Sequence, residues 1–453
     1  MAATAIAAEE VTKGLAAWTA GYDVAQATPS STTWARHCLM DWLACTIAGA
    51  REPLADILAD EFRATAGGAA TLIARGGRAT PHDAALVNGT LSHALDYDDV
   101  NQLMHGHPSV PVASAVLALG EALGKSGREV LSAFMVGYEV ECRIGEMAGD
   151  EHYENGFHAT GTFGTFGAAA GCAKLMGLDA DRTALALGIA ASQAAGLKIN
   201  FGTMTKPLHV GKAAMNGLIA ARLAARGFTA RPDAIEAPQG FVKTQVPGFK
   251  PMPVRPDPSA PMAVEQNLFK YHAACYLTHS SIEAIRDLKR QHNIGADDMK
   301  RMTLHVDAGH LKVCNIPEPK TGLEIKFSIR HLTGMALDGA DTAALGTYSE
   351  ENALNPRYIA LRERIVLDTT PDRNRARHGA SVSIELKDGR TLRADHNVGV
   401  PARDVKLQGE KLEAKFHALA EPVIGRARTR AALDLVNRFE NLPSLKGLME
   451  AVA

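Results

Sequence analysis

Between residues 156 and 179 the sequence reads GFHATGTFGTFGAAAGCAKLMGLD, with Gly161, Gly164, Gly167 and Gly171 recurring every three or four positions. On a helix that spacing lines up residues without side chains on one face, so a neighbouring helix can approach closely. A tightly packed all-helical domain follows. The run is not GxGxxG and no strand is evident before it, which removes a dinucleotide-binding reading. The same helical period places Ala35, Leu39, Trp42, Leu43 and Ile47 on one face of the segment 33–50. A capping-box pattern, Ser126-Gly-Arg-Glu129, announces another helix with Leu131, Phe134, Tyr138 and Cys142 on one stripe. Helical patterning continues through 183–195 and 211–226, where Gly227 is a C-cap. The first 230 residues show hardly any strand alternation.

The pattern changes after Ala237. Seven prolines fall between Pro238 and Pro261, and helix cannot persist through Pro251, Pro253, Pro256 and Pro258, so this stretch reads as a connection between domains. Beyond it Met302, Leu304 and Val306 alternate. Later Val382, Ile384 and Leu386 alternate into Asp388-Gly389 and RTLRA, a hairpin signal. With helices over 280–291 and 327–337, these strands predict a smaller α+β domain. From Lys406 the pattern is helical again, with Leu412, Phe416, Leu419, Ala432, Leu435 and Phe439. The chain of 453 residues exceeds what a single core accommodates. The predicted architecture is mainly α: a large all-α helical domain from 1–266 and 401–453, with an α+β domain, 267–400, inserted before the C-terminal helices. No repeat of solenoid period is visible.

Composition narrows the function classes. Hydrophobic residues make up 46% and charged residues 22%, the formal net charge is −2, and no Lys/Arg run stands out. Nucleic acid and anionic membrane both demand a basic face, so neither is an expected partner. The N-terminal MAATAIAAEEVTKG lacks a basic region and is interrupted by Glu9 and Glu10, reading as neither signal peptide nor membrane span. The six cysteines, at 38, 45, 142, 172, 275 and 314, show no CxxC spacing. They fit a reduced, cytoplasmic compartment and not a cysteine-based metal site.

The chemistry concentrates in Leu91 to Val110, LSHALDYDDVNQLMHGHPSV. Within fifteen residues stand His93, Asp96, Asp98, Asp99, His105 and His107. Carboxylates and imidazoles so close together orient one another, shift one another's pKa values and exchange protons with a bound molecule. The competing reading is a solvated acidic turn between two helices. Four further segments carry chemistry. His158 precedes the glycine-rich helix, with Thr160 or Thr162 as its cap, and would sit at the positive helix end where a carboxylate is favoured; a histidine with no role there is the alternative. In NFGTMTKPLHVGK, Pro207 would begin a helix with Lys206 at its mouth, an anion site needing no metal; the alternative is an exposed surface lysine. Lys270, His272 and His279 lie just past the proline-rich stretch, where the two domains would meet. Lys326 to His331 adds polar groups, though alone it resembles an ordinary helix start. Good ligand types occur in the acidic stretch, but there is no HExxH, EF-hand loop or Cys partner, so no metal is expected. No GxSxG elbow or Walker A motif occurs.

Taken in order, ALVNGTLSHALDYDD (85–99), GHPS (106–109), GFHATGTFG (156–164), NFGTMTKPLHVGKAA (200–214), LFKYHAACYLTHS (268–280) and KFSIRH (326–331) resemble the MmgE/PrpD family. Its members dehydrate, decarboxylate or epimerise small acids such as 2-methylcitrate, cis-aconitate and iminodisuccinate. The resemblance implies a helical domain, a smaller α+β lid, a homodimer, and a cofactor-free site in the interdomain cleft. Carried over by motif, Asp96 and His107 match the family's catalytic acidic residue and histidine, and His158, Lys206 and Lys270 its other active-site positions. Thr203, His209, His272 and His331 are further expected to bind substrate. The Asp96–His107 spacing is one residue longer than in the decarboxylases.

After KFS many members carry a tyrosine where this chain has His331, so a phenol titrating near 10 gives way to an imidazole titrating near 6.5, a potential cation or base. The expected function is a cofactor-independent lyase acting on a small di- or tricarboxylate, foremost a dehydratase of a citrate-like hydroxy acid. An epimerase of a dicarboxylate and a cis-aconitate-type decarboxylase are the alternatives. Lys206 and Lys270 would hold carboxylates, His158 would add hydrogen bonds, and His107, oriented by Asp96, would move the carbon-bound proton.

Overall fold

The computed structural model describes residues 10–62, 68–246, 248–252, 261–371, 376 and 378–453. Most of the N-terminal stretch read against a leader, and Pro247, Pro253, Pro256 and Pro258 of the proline-rich stretch, lie outside the described residues. The chain forms two compact units. One comprises Met1–Asn200, Met204–Phe269 and Ala402–Ala453, the other Phe201–Thr203 and Lys270–Pro401.

The first unit is built from helices α1 (Val11–Gly21), α2 (Pro29–Gly49), α3 (Pro53–Glu61), α4 (Pro81–His93), α5 (Ser109–Ala122), α6 (Gly127–Glu154), α7 (Ala159–Leu175), α8 (Ala180–Ala191) and α9 (Thr205–Ala225). Helix α7 is central: all of its residues except Lys174 are buried, and α5, α6, α8 and α9 pack around it. A helix apolar or small on every side belongs in such a position. Its glycines permit the contacts. A Cβ at Gly167 would lie 2.9 Å from the carbonyl oxygen of Gly137 on α6, closer than real Cβ contacts allow. The capping box at Ser126 and Glu129 forms as the sequence predicts. A short hairpin, β1 (Ala70–Leu72) with β2 (Gly77–Ala79), interrupts the helices; three residues per strand are too few for alternation to register. The helix Val405–Ile424 returns to pack on α2, burying Leu412, Phe416 and Leu419, and Lys415 pairs with Asp41 at 2.7 Å.

The second unit holds a four-stranded sheet of β3 (Met299–His305), β4 (Ile365–Asp368), β5 (Gly379–Leu386) and β6 (Thr391–Asn397), in the order β4-β3-β5-β6. Strand β4 runs parallel to β3, and the other pairs are antiparallel. The predicted hairpin turns at Gly389, whose φ of +91° suits glycine. Helices His279–His292 and Ile329–Asp338 pack against the sheet around Ile282, Ile285, Leu304, Val382 and Ile384. Mainly helical architecture with one small α+β region is therefore what the sequence encodes. Among the described residues no helix is long and apolar enough to cross a membrane, and the six cysteines are buried and form no disulfide.

Candidate active site

The acidic stretch is not a solvated turn. Helix α4 ends at His93, α5 begins at Ser109, and the connection between them is folded inward: Asp96, Asp98 and Asp99 are 3%, 1% and 0% exposed. Asp96 adopts φ +51°, a left-handed conformation that Asp tolerates better than most residues. Such strain persists where surrounding structure over-determines it, and it clusters at functional sites. Here the surroundings are specific. Val100 pairs with Leu268, Asn101 bridges to Gly106, and the Asn101 amide donates to the Tyr138 hydroxyl and the Ala263 carbonyl. Gly106 lies so close to α7 that a Cβ there would sit 2.9 Å from Thr160 Oγ1.

These constraints bring four titratable side chains together. Asp98 lies between two imidazoles, with His93 Nδ1 2.9 Å from Oδ1 and His107 Nδ1 2.9 Å from Oδ2. The other face of His107 meets Asp96, whose Oδ1 is 3.7 Å from Nε2. That same Oδ1 accepts a 2.6 Å hydrogen bond from Lys206 Nζ on α9. Lys206 and Asp96 are both buried, so this pair acts in a low-dielectric setting. Burial holds the His93 imidazole down to about 3, hence neutral. Burial alone would raise Asp98, but the two imidazoles outweigh it and keep the carboxylate ionised. Asp99 differs: burial and the charge of Asp41 push it up to about 8, and it bonds to the Ser109 hydroxyl and backbone N–H at the start of α5. His105 turns away and pairs with Asp150 of α6 at 2.7 Å.

His158 itself occupies the cap position of α7, and neither expected threonine caps. Thr160 Oγ1 instead accepts from the His107 backbone N–H at 3.1 Å, fixing the histidine's backbone to α7. The His158 ring stacks 5.8 Å from His93, and its Nδ1 lies 3.1 Å from His209 Nδ1, a contact in which one ring donates and the other accepts. Burial first, then the positive charge of Lys206, keeps both rings neutral, His209 at about 4. Helix α9 starts at Thr205, two residues before the expected position, which places Lys206 inside its first turn and Pro207 third. Proline is tolerated there because first-turn N–H groups have no intrahelical partner.

The remaining candidates belong to the second unit. Thr203 is exposed and Lys270 is buried. His272 has both ring nitrogens engaged, Nε2 by Glu283 at 2.6 Å and Nδ1 by Thr342 at 2.8 Å. His331 donates from Nε2 to the Asn352 carbonyl at 3.0 Å, and burial lowers its pKa, so it is a neutral ring. Its buried Nδ1 has no hydrogen-bond partner among the described residues. The ring that stands where many members carry a tyrosine is therefore neutral, with Nδ1 as a buried acceptor.

Donor atoms of His93, Asp96, Asp98 and His107 lie within 4.8 Å of one another, a geometry compatible with a cation. The two carboxylates are already engaged: Lys206 neutralises Asp96, and Asp98 faces two ring nitrogens. The donor set fits proton holding and fits a metal poorly. Asp98 and His93 received no role from sequence; their types were visible, but not their shared orientation toward His107.

Comparison with known proteins gives a consistent context. The model of the MmgE/PrpD N-terminal domain matches residues 13–253 and that of the MmgE/PrpD C-terminal domain residues 272–441. Human cis-aconitate decarboxylase is 30% identical over 383 residues, covering 81% of this chain and 78% of the relative. Cis-aconitate decarboxylase of Aspergillus terreus is 27% identical over 447 residues, covering 92% and 90%. The cis-aconitate decarboxylase-like protein oryM of Aspergillus oryzae is 29% identical over 450 residues, covering 92% of each.

Proposed function

Because the chain belongs to the MmgE/PrpD family, we propose that it is a cofactor-independent lyase of a small tricarboxylate, and that it dehydrates a citrate-like hydroxy acid. One observation carries the reading: Asp96 Oδ1 stands between the Lys206 ammonium at 2.6 Å and His107 Nε2 at 3.7 Å. A proton acceptor and a cation are thus adjacent, with a carboxylate between them that is paired to the cation. His107 Nε2 takes the proton from the carbon next to a substrate carboxylate. The electron pair left behind forms the C=C bond as the C–O bond breaks. Lys206 stabilises the developing negative charge and protonates the departing hydroxyl, which leaves as water. Solvent then takes the proton from His107 and returns one to Lys206, which closes the cycle, while Asp96 holds the Lys206 ammonium in place. Lys270 is assigned to a second carboxylate on its motif alone.

A second reading has its own support in the relatives named as cis-aconitate decarboxylases. There the C–C bond to a carboxylate breaks, CO₂ leaves, and protonated His107 delivers its proton to the carbon. Proton NMR in D₂O with citrate, 2-methylcitrate, cis-aconitate, iminodisuccinate, malate and tartrate isomers separates the two. Loss of a carbon-bound proton with a new vinylic signal supports dehydration. Release of CO₂ with deuterium incorporated into the product supports decarboxylation. Deuterium exchange with neither an alkene nor CO₂ would remove both.

A further inference from the structure

We propose that Asp98 and His93 are positioning residues for His107: a buried carboxylate shared by two imidazole Nδ1 groups keeps the His107 proton on Nδ1 and leaves Nε2 as the reacting nitrogen. The proposal rests on the reading of His107 as the proton-transfer group, and it replaces Asp96 as the residue that orients it.

An ionised carboxylate can only accept hydrogen bonds, so the nitrogen that faces it is assigned as the N–H: His93 Nδ1 in a 2.9 Å hydrogen bond, and His107 Nδ1 in an ion-pair contact of the same length. In a neutral imidazole the other nitrogen then carries the lone pair. For His107 that lone pair is Nε2, on the side of Asp96 and Lys206. Asp96 cannot serve the same purpose. It lies 3.7 Å away, beyond hydrogen-bond reach, and already accepts from Lys206. His93 completes the arrangement. Its Nδ1 faces Asp98, while its Nε2 is buried with no hydrogen-bond partner among the described residues, so the ring is a fixed donor with no outlet for a proton. Sharing Asp98 with His93 draws off part of the carboxylate's charge and keeps it from taking the His107 proton outright. The charged and titratable groups facing His107 are Asp96 and Asp98 from its own loop, His93 from α4, Lys206 from α9 and His158 from α7. Asp98 Oδ2 stands 2.9 Å from His107 Nδ1, against 3.7 Å between Asp96 Oδ1 and Nε2.

The test reads the tautomer directly. In ¹⁵N-histidine NMR of the full chain, with His107 signals identified by their loss in His107→Gln, the wild type should show a protonated Nδ1 and an unprotonated Nε2. In Asp98→Asn that preference should collapse, and kcat should fall roughly 10²- to 10⁴-fold with KM nearly unchanged. The two partners should move the acidic limb of the pH–rate profile in opposite directions. Asp98→Asn removes the charge that favours protonated His107 and shifts the limb to lower pH. His93→Gln leaves Asp98 to His107 alone and shifts it to higher pH. A wild-type His107 protonated on Nε2, or variants that lower only thermal stability and leave tautomer and limb in place, would overturn the proposal. The tautomer is measured in free protein, so it decides this point even if none of the acids is turned over, the result that would instead defeat the lyase reading.

Discussion

Lys415, on the helix Val405–Ile424, donates a 2.7 Å hydrogen bond to the carbonyl oxygen of Tyr97, the residue between Asp96 and Asp98. Its ammonium also contacts Asp41 at 2.7 Å and lies 4.0 Å from the centre of the Tyr97 ring. Burial opposes this charge, but Asp41, Cys45 and Tyr97 together outweigh burial and raise the lysine further. Substituting Lys415→Met strands a buried carboxylate, and should lower stability by about 3–5 kcal/mol in urea denaturation. The double variant Asp41→Leu/Lys415→Met should recover most of that stability. It should not recover turnover, because the Tyr97 carbonyl still lacks its donor. Full activity in the double variant would show that the clamp does not matter to the site.

His107→Gln should reduce turnover roughly 10²- to 10⁴-fold while the circular dichroism spectrum stays that of the wild type. Near-full activity in a folded variant would mean that another group moves the proton. Lys206→Met removes both the cation and the partner of Asp96, and is expected to reduce kcat and melting temperature together.

The pH dependence of stability should show two opposing limbs. His93 is held at about 3, and His37 and His152 at about 4, chiefly by burial. Unfolded, these rings titrate near 6.5, so between about pH 4 and 6.5 the unfolded chain binds more protons than the folded one. Stability from these groups is complete above 6.5 and is lost as pH falls. Asp99, raised to about 8, works the other way: its contribution is present in acid and declines as pH rises toward 8. Melting temperature should therefore climb from pH 4 to 6.5 and fall toward pH 8. His152→Gln should flatten the acid limb and Asp99→Asn the alkaline one.

Dialysis against EDTA should leave activity unchanged, since the two carboxylates of the four-residue cluster are already engaged, Asp96 by Lys206 and Asp98 by His93 and His107. A loss reversed by one divalent ion would show that the cluster binds a metal after all.

Features set by local chain chemistry were legible in the sequence. Ser126 and Glu129 cap α6 as their spacing requires, and Asp388-Gly389 turns the hairpin between β5 and β6. Features set by tertiary packing were not. The pairing of Lys206 with Asp96 joins residues 110 positions apart, and apart from the family motif nothing in the chemistry of DYDD distinguishes Asp96, which meets Lys206, from Asp98, which meets two imidazoles. Burial of that turn was equally hidden, because an acidic run in solvent has the same composition. The start of α9 was misplaced because Pro207 is as compatible with the third helical position as with the first.

Tyr97 and Lys415 are 318 positions apart, and residues 270–401, with a sheet and core of their own, lie between them. As the chain leaves the ribosome from its N-terminus, the acidic turn is therefore made long before the lysine that clamps it. The intervening unit can fold in that interval, whereas the proposed proton-transfer turn gains its clamp only once Lys415 has been made. Chains terminated before residue 402 would carry every proposed proton-transfer group without the clamp.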